Sequence, residues 1–168
     1  MSGRVELDLA WRMHDSAATA IDKADTKAGF AATVETALAA VVLTFVSHSS
    51  GVLLVARVLF GVALAALAVA LGSALLVVVP RVQCLAGSLV PGEFLYLGAA
   101  RHRSVEQVHL AAKSHGEKVA DPLVAVTLQA KRLADVAWTK HRWLRFSFVA
   151  AVAGAVFAVA GVLIGGAR

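Results

Sequence analysis

Residues 22–46 read DKADTKAGFAATVETALAAVVLTFV, a charged cluster followed without interruption by an apolar stretch about one bilayer long. There is no Gly or Pro between Arg4 and Ala28, and Gly29 is the only weak helix former at the junction. We therefore predict that the cluster forms the last turns of the helix that crosses the membrane. Glu35 lies inside this span, where an ionisable group is costly unless it is protonated, paired or turned into a helix bundle. We expect it to face the bundle interior.

The composition lies outside the usual range of soluble proteins. Of 168 residues, 59% are hydrophobic and only 16% are charged, and the mean hydropathy is +0.76. The single cysteine, Cys84, excludes a disulfide framework and a cysteine-based zinc site within one chain. The first residues carry acids and lack a small-residue cleavage site before a long apolar run, so we expect the first span to be retained.

The N-terminal residues 1–27 have the pattern of an amphipathic helix outside the membrane. Charged side chains such as Arg12, Asp15, Asp22 and Lys23 lie off its predicted buried stripe. That stripe has helical spacing and consists of Leu7, Ala10, Trp11, His14, Ala17, Ala18, Ile21 and Ala24.

Three apolar runs are long enough to span a bilayer. The first, 28–46, and the second, about 58–79, are separated by the short polar turn 47–51, with Arg57 placed to extend toward the head groups near that turn. The third run is 146–164. The chain thus divides into a helix at 1–27, a transmembrane hairpin at 28–79, a polar section at 80–145, and a third span with a short tail at 146–168.

The basic residues predict the orientation. Fourteen of the sixteen Lys and Arg residues lie before the first span or in the polar section, and two lie elsewhere. By the positive-inside rule, the N-terminus and the polar section are cytosolic and the C-terminus is outside. This distribution also explains the positive net charge without nucleic acid, for which the chain has no binding motif.

The polar section contains two predicted helix starts. Residues 104–107 form a capping box. Asp121 and Pro122 are an N-cap and a first-turn proline, and they open a helix that continues toward the third span. Its predicted buried stripe contains Leu123, Val126, Ala130, Leu133, Ala137 and Leu144, and its charged face contains Lys131, Arg132, Asp135, Lys140 and Arg142.

Two long helices thus have an amphipathic half and an apolar half each. We predict an all-α integral membrane protein with three transmembrane helices, in which the amphipathic halves pack as a cytosolic stalk under a small cap formed by 81–121. Small residues recur at four-residue spacing in the spans, which favours close helix approach. Three spans do not enclose a pore, so a permeabilising protein of this kind would act as a homo-oligomer.

Catalytic motifs are missing from the sequence. It contains no phosphate-binding Gly-rich Lys motif, nucleophile elbow or His-Glu-x-x-His run. The six His residues are scattered, at 14, 48, 102, 109, 115 and 141. We therefore expect neither an enzyme nor a metal site, and no cofactor.

Five segments resemble the transmembrane Pycsar effectors of bacteria, in the same order and over nearly the whole chain. They are 24–30 (ADTKAGF), 80–81 (PR), 93–98 (EFLYLG), 104–107 (SVEQ) and 139–143 (TKHRW). This chain has Glu35 where such proteins usually have a neutral polar residue, and it has Leu97 and His141 where an aromatic residue is more usual.

The resemblance implies an anti-phage membrane effector in the bacterial inner membrane. A neighbouring cyclase would make a cyclic pyrimidine mononucleotide, cyclic UMP or cyclic CMP, on infection. The effector would respond by impairing membrane integrity, so that the cell dies before phage are released. The alternative is a constitutive membrane scaffold or an accessory protein of a transporter or channel.

A cyclic mononucleotide needs donors or cations for its phosphate and an aromatic surface for its base. Tyr96, Arg101, Arg103 and the helix start at Ser104 bring these features together and are the predicted ligand site. Alternatively, these arginines belong to the positive-inside excess and Tyr96 packs the cap. In that case the site lies at Asp25, Thr26 and Lys27. We assign transmission to the membrane to Asp25, Lys27 and Glu35.

Overall fold

The structure is a computed structural model that describes residues 2–48, 54–79, 104–107, 110 and 122–166. Three long helices account for most of these residues. They are α1 (Ser2–His48), α2 (Leu54–Val78) and α3 (Pro122–Gly166). The all-α fold predicted from the sequence is confirmed.

All three helices are long and apolar enough to cross a membrane, over Arg4–Ser47, Leu54–Val78 and Leu123–Gly165. A bilayer requires about 20 helical residues, whereas α1 has 47 residues and α3 has 45. Each of these two helices therefore extends well beyond its apolar half. The prediction that 22–27 continue unbroken into the first span is confirmed. Asp121, the predicted N-cap of α3, lies outside the described residues.

Most buried positions on the three helices are spaced by three, four or seven residues. This spacing is typical of helices that pack side by side at a small crossing angle. On α1 the buried residues are Ala10, Ala17, Ala24, Ala28, Ala31, Glu35 and Val42, and on α3 they are Ala125, Val126, Ala130, Ala137, Lys140, Leu144, Ser147, Gly154 and Gly161. On α2 they are Ala56, Phe60, Ala63, Leu67, Ala70, Ser73, Ala74 and Val77.

The chain divides into two compact units. Unit 1 comprises Met1–Asp22 and Pro80–Trp138, and unit 2 comprises Lys23–Val79 and Thr139–Arg168. In unit 1 the described parts of α1 and α3 bury mainly alanine, including Ala10, Ala17 and Ala130. Trp11 was predicted to be on the buried stripe, but 41% of it is exposed, because Ala10 lies on the buried face and the next residue is turned by about 100° from it.

Unit 2 is a three-helix bundle in which α1 and α3 run parallel and α2 runs antiparallel to both. One apolar cluster joins all three helices through Ala24, Ala28, Ala31, Val77 and Leu144, with Trp143 packed against it. A second cluster joins the other ends of α1 and α2 through Val42, Ala56, Phe60, Ala63 and Leu67, and Ala158 of α3 packs against it. Large apolar side chains such as Phe30, Leu54 and Val149 are exposed on the outside, which suits a lipid environment.

Candidate functional site

An ion pair joins α1 to α3 just before the apolar halves of both helices. Nζ of Lys140 donates to both carboxylate oxygens of Asp25, at 2.5 Å to Oδ1 and 2.8 Å to Oδ2. The Lys140 side chain is 6% exposed and that of Asp25 is 37% exposed. The ammonium group is therefore held almost entirely out of solvent, and the carboxylate is its partner on the facing helix.

The position of Lys140 corrects the sequence analysis, which placed this residue on the charged face of α3. It lies three residues after buried Ala137 and four before buried Leu144, on the same buried stripe. Its long aliphatic stem packs in this interface while the charged end reaches Asp25. The side of α3 on which Lys140 lies is therefore decided by its spacing in the sequence and not by its charge.

A second polar contact joins the same two helices further along. Oγ of Ser147 donates a hydrogen bond of 2.5 Å to Oε1 of Glu35, and Glu35 is 2% exposed. The prediction that Glu35 faces the bundle interior is therefore confirmed. Its other oxygen, Oε2, is buried and has no hydrogen-bond partner among the described residues. A carboxyl group with one satisfied oxygen in such a place is costly to retain.

The Glu35–Ser147 contact lies between the two apolar clusters. Ala31, four residues before Glu35, belongs to the first cluster, and Val42, seven residues after it, belongs to the second. Ser73 is also buried and lies between the clusters along α2, with its hydroxyl bonded to the carbonyl of Val69 at 2.7 Å. The bundle thus has a polar layer, formed by Glu35, Ser147 and Ser73, between two apolar ends.

Of the three residues assigned to transmission, two are in helix contacts. Asp25 and Glu35 both bond to α3, as described above, whereas Lys27 is exposed. Asp25 and Glu35 lie ten residues apart on α1, and their partners lie seven apart on α3. Lys140 has a much longer side chain than Ser147, which accommodates the difference.

The predicted ligand site falls mostly outside the described residues. This applies to Tyr96, Arg101 and Arg103. Ser104 is described and forms the predicted capping box: the N–H of Gln107 donates to Ser104 Oγ at 3.2 Å, and the N–H of Ser104 donates to Gln107 Oε1 at 3.1 Å. These two backbone donors are therefore already in use within the turn.

Sequence reasoning missed Lys140 and Ser147 as partners of the two acids. A signal for both was present in the stripe itself, since 137, 140, 144 and 147 continue the buried spacing of α3. A polar residue at such a position requires a partner on the facing helix. Within the part of the chain that the structure describes, no group of three or more His, Cys, Asp or Glu side chains is placed to hold a metal ion.

Comparison with known proteins gave one family match. The family model described as the Pycsar effector protein domain matches residues 9–165, nearly the whole chain. No curated protein and no solved structure matches the chain. The matched range includes all of unit 2 except its last three residues, and both polar contacts between α1 and α3. The chain therefore belongs to the Pycsar effector family and is a multi-pass membrane effector of anti-phage cyclic-nucleotide signalling.

Proposed function

We propose that this effector binds a cyclic pyrimidine mononucleotide, cyclic UMP or cyclic CMP, and in response permeabilises the membrane in which it is embedded. A partner cyclase would supply the nucleotide on infection, and loss of membrane integrity would kill the cell before phage are released. The effector itself catalyses no reaction in this scheme. Its output is a change in how its helices pack in the bilayer.

The Asp25–Lys140 pair carries this proposal. It joins the two helices that extend beyond the bilayer, just before both become apolar. Rotation or sliding of α1 against α3 would separate the carboxylate from the ammonium group and would strain the Glu35–Ser147 bond ten residues further along α1. Ligand binding that favours the separated state shifts the population toward it.

We propose that the N-terminus and residues 80–145 are cytosolic, with the C-terminus outside, because fourteen of the sixteen basic residues lie on the first side. The cyclase product then reaches the same side as Tyr96, Arg101 and Arg103. A reporter fused after Arg168 should be active only if it is a type that works outside the cytosol. Activity of a cytosolic reporter at that position would overturn the orientation.

The ligand site proposed here consists of Tyr96 for the base and Arg101 and Arg103 for the phosphate, next to Ser104. Calorimetry on the detergent-solubilised protein tests it. Arg101→Ala or Arg103→Ala should weaken nucleotide binding by roughly 1–3 kcal/mol because a charge-assisted hydrogen bond is lost. Lys131→Ala, which removes an exposed charge elsewhere, is the control. Unchanged affinity of the folded Arg101→Ala/Arg103→Ala variant would move the site to Asp25, Thr26 and Lys27.

The decisive experiment is dye release from liposomes that contain the purified protein. Cyclic UMP, cyclic CMP and cyclic AMP are added separately, and release is compared with protein-free liposomes. We expect one pyrimidine nucleotide to start release and cyclic AMP to have little effect. Because three helices do not enclose a pore, release should rise more steeply than linearly with protein density, as expected for a homo-oligomer. Equal release with and without nucleotide would instead favour a constitutive membrane protein.

A further inference from the structure

Unit 2 has a groove on the outer side of α3, at the start of its apolar half. Its volume is about 520 Å³, and its lining includes Arg142, Trp143, Arg145, Phe146 and Val149. This size lies within the range of small-molecule sites. The Trp143 and Phe146 rings meet edge to face, with centroids 6.4 Å apart and an interplanar angle of 87°. Two packed aromatic rings therefore form part of the groove wall.

The chemistry of the lining changes along the helix axis. Arg142 and Arg145 are exposed and three residues apart, so their guanidinium groups lie on neighbouring turns of one face. Phe146 and Val149 follow, and they are 52% and 68% exposed. From Arg142 to Val149 the helix rises roughly 10 Å. Two arginines thus lie at one end of a groove whose lining is mostly apolar and continues into the third span.

We propose that this groove binds a phospholipid with an anionic head group. The two guanidinium groups hold the phosphate and the head group, because arginine forms bidentate bonds to phosphate oxygens. An acyl chain then lies along Phe146 and Val149. Basic pockets at the cytosolic surface of transmembrane helices bind anionic lipids by the same chemistry. A soluble anion would leave the apolar half of the groove without an occupant, whereas a lipid covers both halves.

The groove also connects the lipid to the helix contact described above. Trp143 lines the groove and packs against the cluster of Ala24, Ala28, Ala31, Val77 and Leu144. Leu144 belongs to that cluster, and Arg142 and Arg145 lie on either side of the Trp143–Leu144 pair in the sequence. A bound lipid therefore contacts a side chain of the α1–α3 interface directly, and its departure alters the packing of that interface.

Lipid binding to the full-length protein in neutral detergent tests the proposal. Native mass spectrometry would count bound phosphatidylglycerol, with phosphatidylcholine of the same chains as the comparison. We expect phosphatidylglycerol to bind preferentially, and Arg142→Gln/Arg145→Gln to weaken its binding roughly tenfold or more. Arg142→Lys/Arg145→Lys, which keeps both charges, should retain most of it.

The matched control is Lys23→Gln/Lys131→Gln, which removes two exposed charges outside the groove. It should change phosphatidylglycerol binding less than twofold. An equal loss in both double variants would show diffuse attraction to positive charge and would overturn the site. Displacement of the lipid by inorganic phosphate or by cyclic UMP would also overturn the proposal, since the groove would then be a site for soluble anions.

A second measurement does not depend on the arginine variants. Phosphatidylglycerol with brominated chains should quench the fluorescence of the wild-type protein more than that of Trp143→Phe, because Trp143 lines the groove. Trp11 and Trp138 remain in both proteins and supply the reference signal. Equal quenching of the two proteins, or equal quenching by brominated phosphatidylcholine, would overturn the proposal.

Discussion

Besides the apolar cluster that joins all three helices, helix α3 makes polar contacts with α1 and close glycine contacts with α2. Toward α1, it presents Lys140 and Ser147 to two acids. Toward α2, it presents Gly154 and Gly161, whose missing side chains allow close contact. A Cβ atom on Gly154 would lie 2.9 Å from Leu67 Cγ and 3.2 Å from the Ala63 carbonyl oxygen, and one on Gly161 would lie 2.9 Å from a ring carbon of Phe60.

The difference shows that α3 can have one contact that breaks and re-forms, with α1, and one that stays closely packed, with α2. In lipid, apolar side chains gain little by meeting one another, so helix association relies on close packing and hydrogen bonds. The polar partners can separate if water, a proton or a ligand takes the place of the lost bond. At the glycine contact, nothing replaces the van der Waals packing that is lost when the two helices move apart. We therefore expect α3 to move with α2 and against α1.

The largest effect should come from Asp25→Asn. This change leaves the ammonium group of Lys140 buried without its charged partner, which should destabilise the bundle by about 3 kcal/mol or more. Lys140→Met should cost much less, because Asp25 is partly exposed and can be hydrated. Thermal unfolding of the purified variants in one detergent measures both. Equal losses in the two variants would show that the pair is not the buried contact described here.

Gly154→Ala should have the next largest effect. The added methyl group meets a backbone carbonyl of α2 that cannot turn aside, so overpacking should cost roughly 1–3 kcal/mol. Gly161→Ala is the matched change seven residues further along, and it should cost less because the ring of Phe60 can shift. Unfolding temperatures compare them. A larger loss for Gly161→Ala would contradict this order.

Ser147→Ala should be milder and should affect function as well as stability. It removes the donor to Glu35, and interhelical hydrogen bonds in membranes contribute about 1 kcal/mol. Glu35→Gln keeps an acceptor for Ser147 and removes the acid, so it should leave expression and insertion intact but change toxicity or its threshold in cells. Wild-type behaviour of Glu35→Lys would contradict the buried position of Glu35.

The smallest effect should come from Gly61→Ala and Gly72→Ala on the outer face of α2. A Cβ at either glycine meets nothing within 4 Å, and alanine restricts the unfolded chain more than glycine does. Stability should be unchanged or higher by about 0.4–1 kcal/mol. Reduced dye release by a stable Gly61→Ala variant would indicate that this face packs against another copy of the chain.

The sequence was sufficient for the three helices, because an apolar run of spanning length is a local signal. The sequence also predicted the burial of Glu35, because an acid in an apolar span is costly when it faces lipid. The sequence analysis placed Lys140 on the wrong side of α3. Its charge indicated the surface, whereas its spacing indicated the buried stripe. The partners of Asp25 and Glu35 depend on which faces of α1 and α3 meet. Those faces are brought together by contacts between residues more than a hundred positions apart.

That separation has a consequence for how the protein is made. Asp25 and Lys140 are 115 residues apart and Glu35 and Ser147 are 112 apart, and the ribosome synthesises the partner of each acid last. The first two helices therefore enter the membrane as a hairpin with both acids still unmatched. Release of the chain before α3 is complete would leave that hairpin exposed to quality-control proteases, so only full-length molecules should accumulate in the cell.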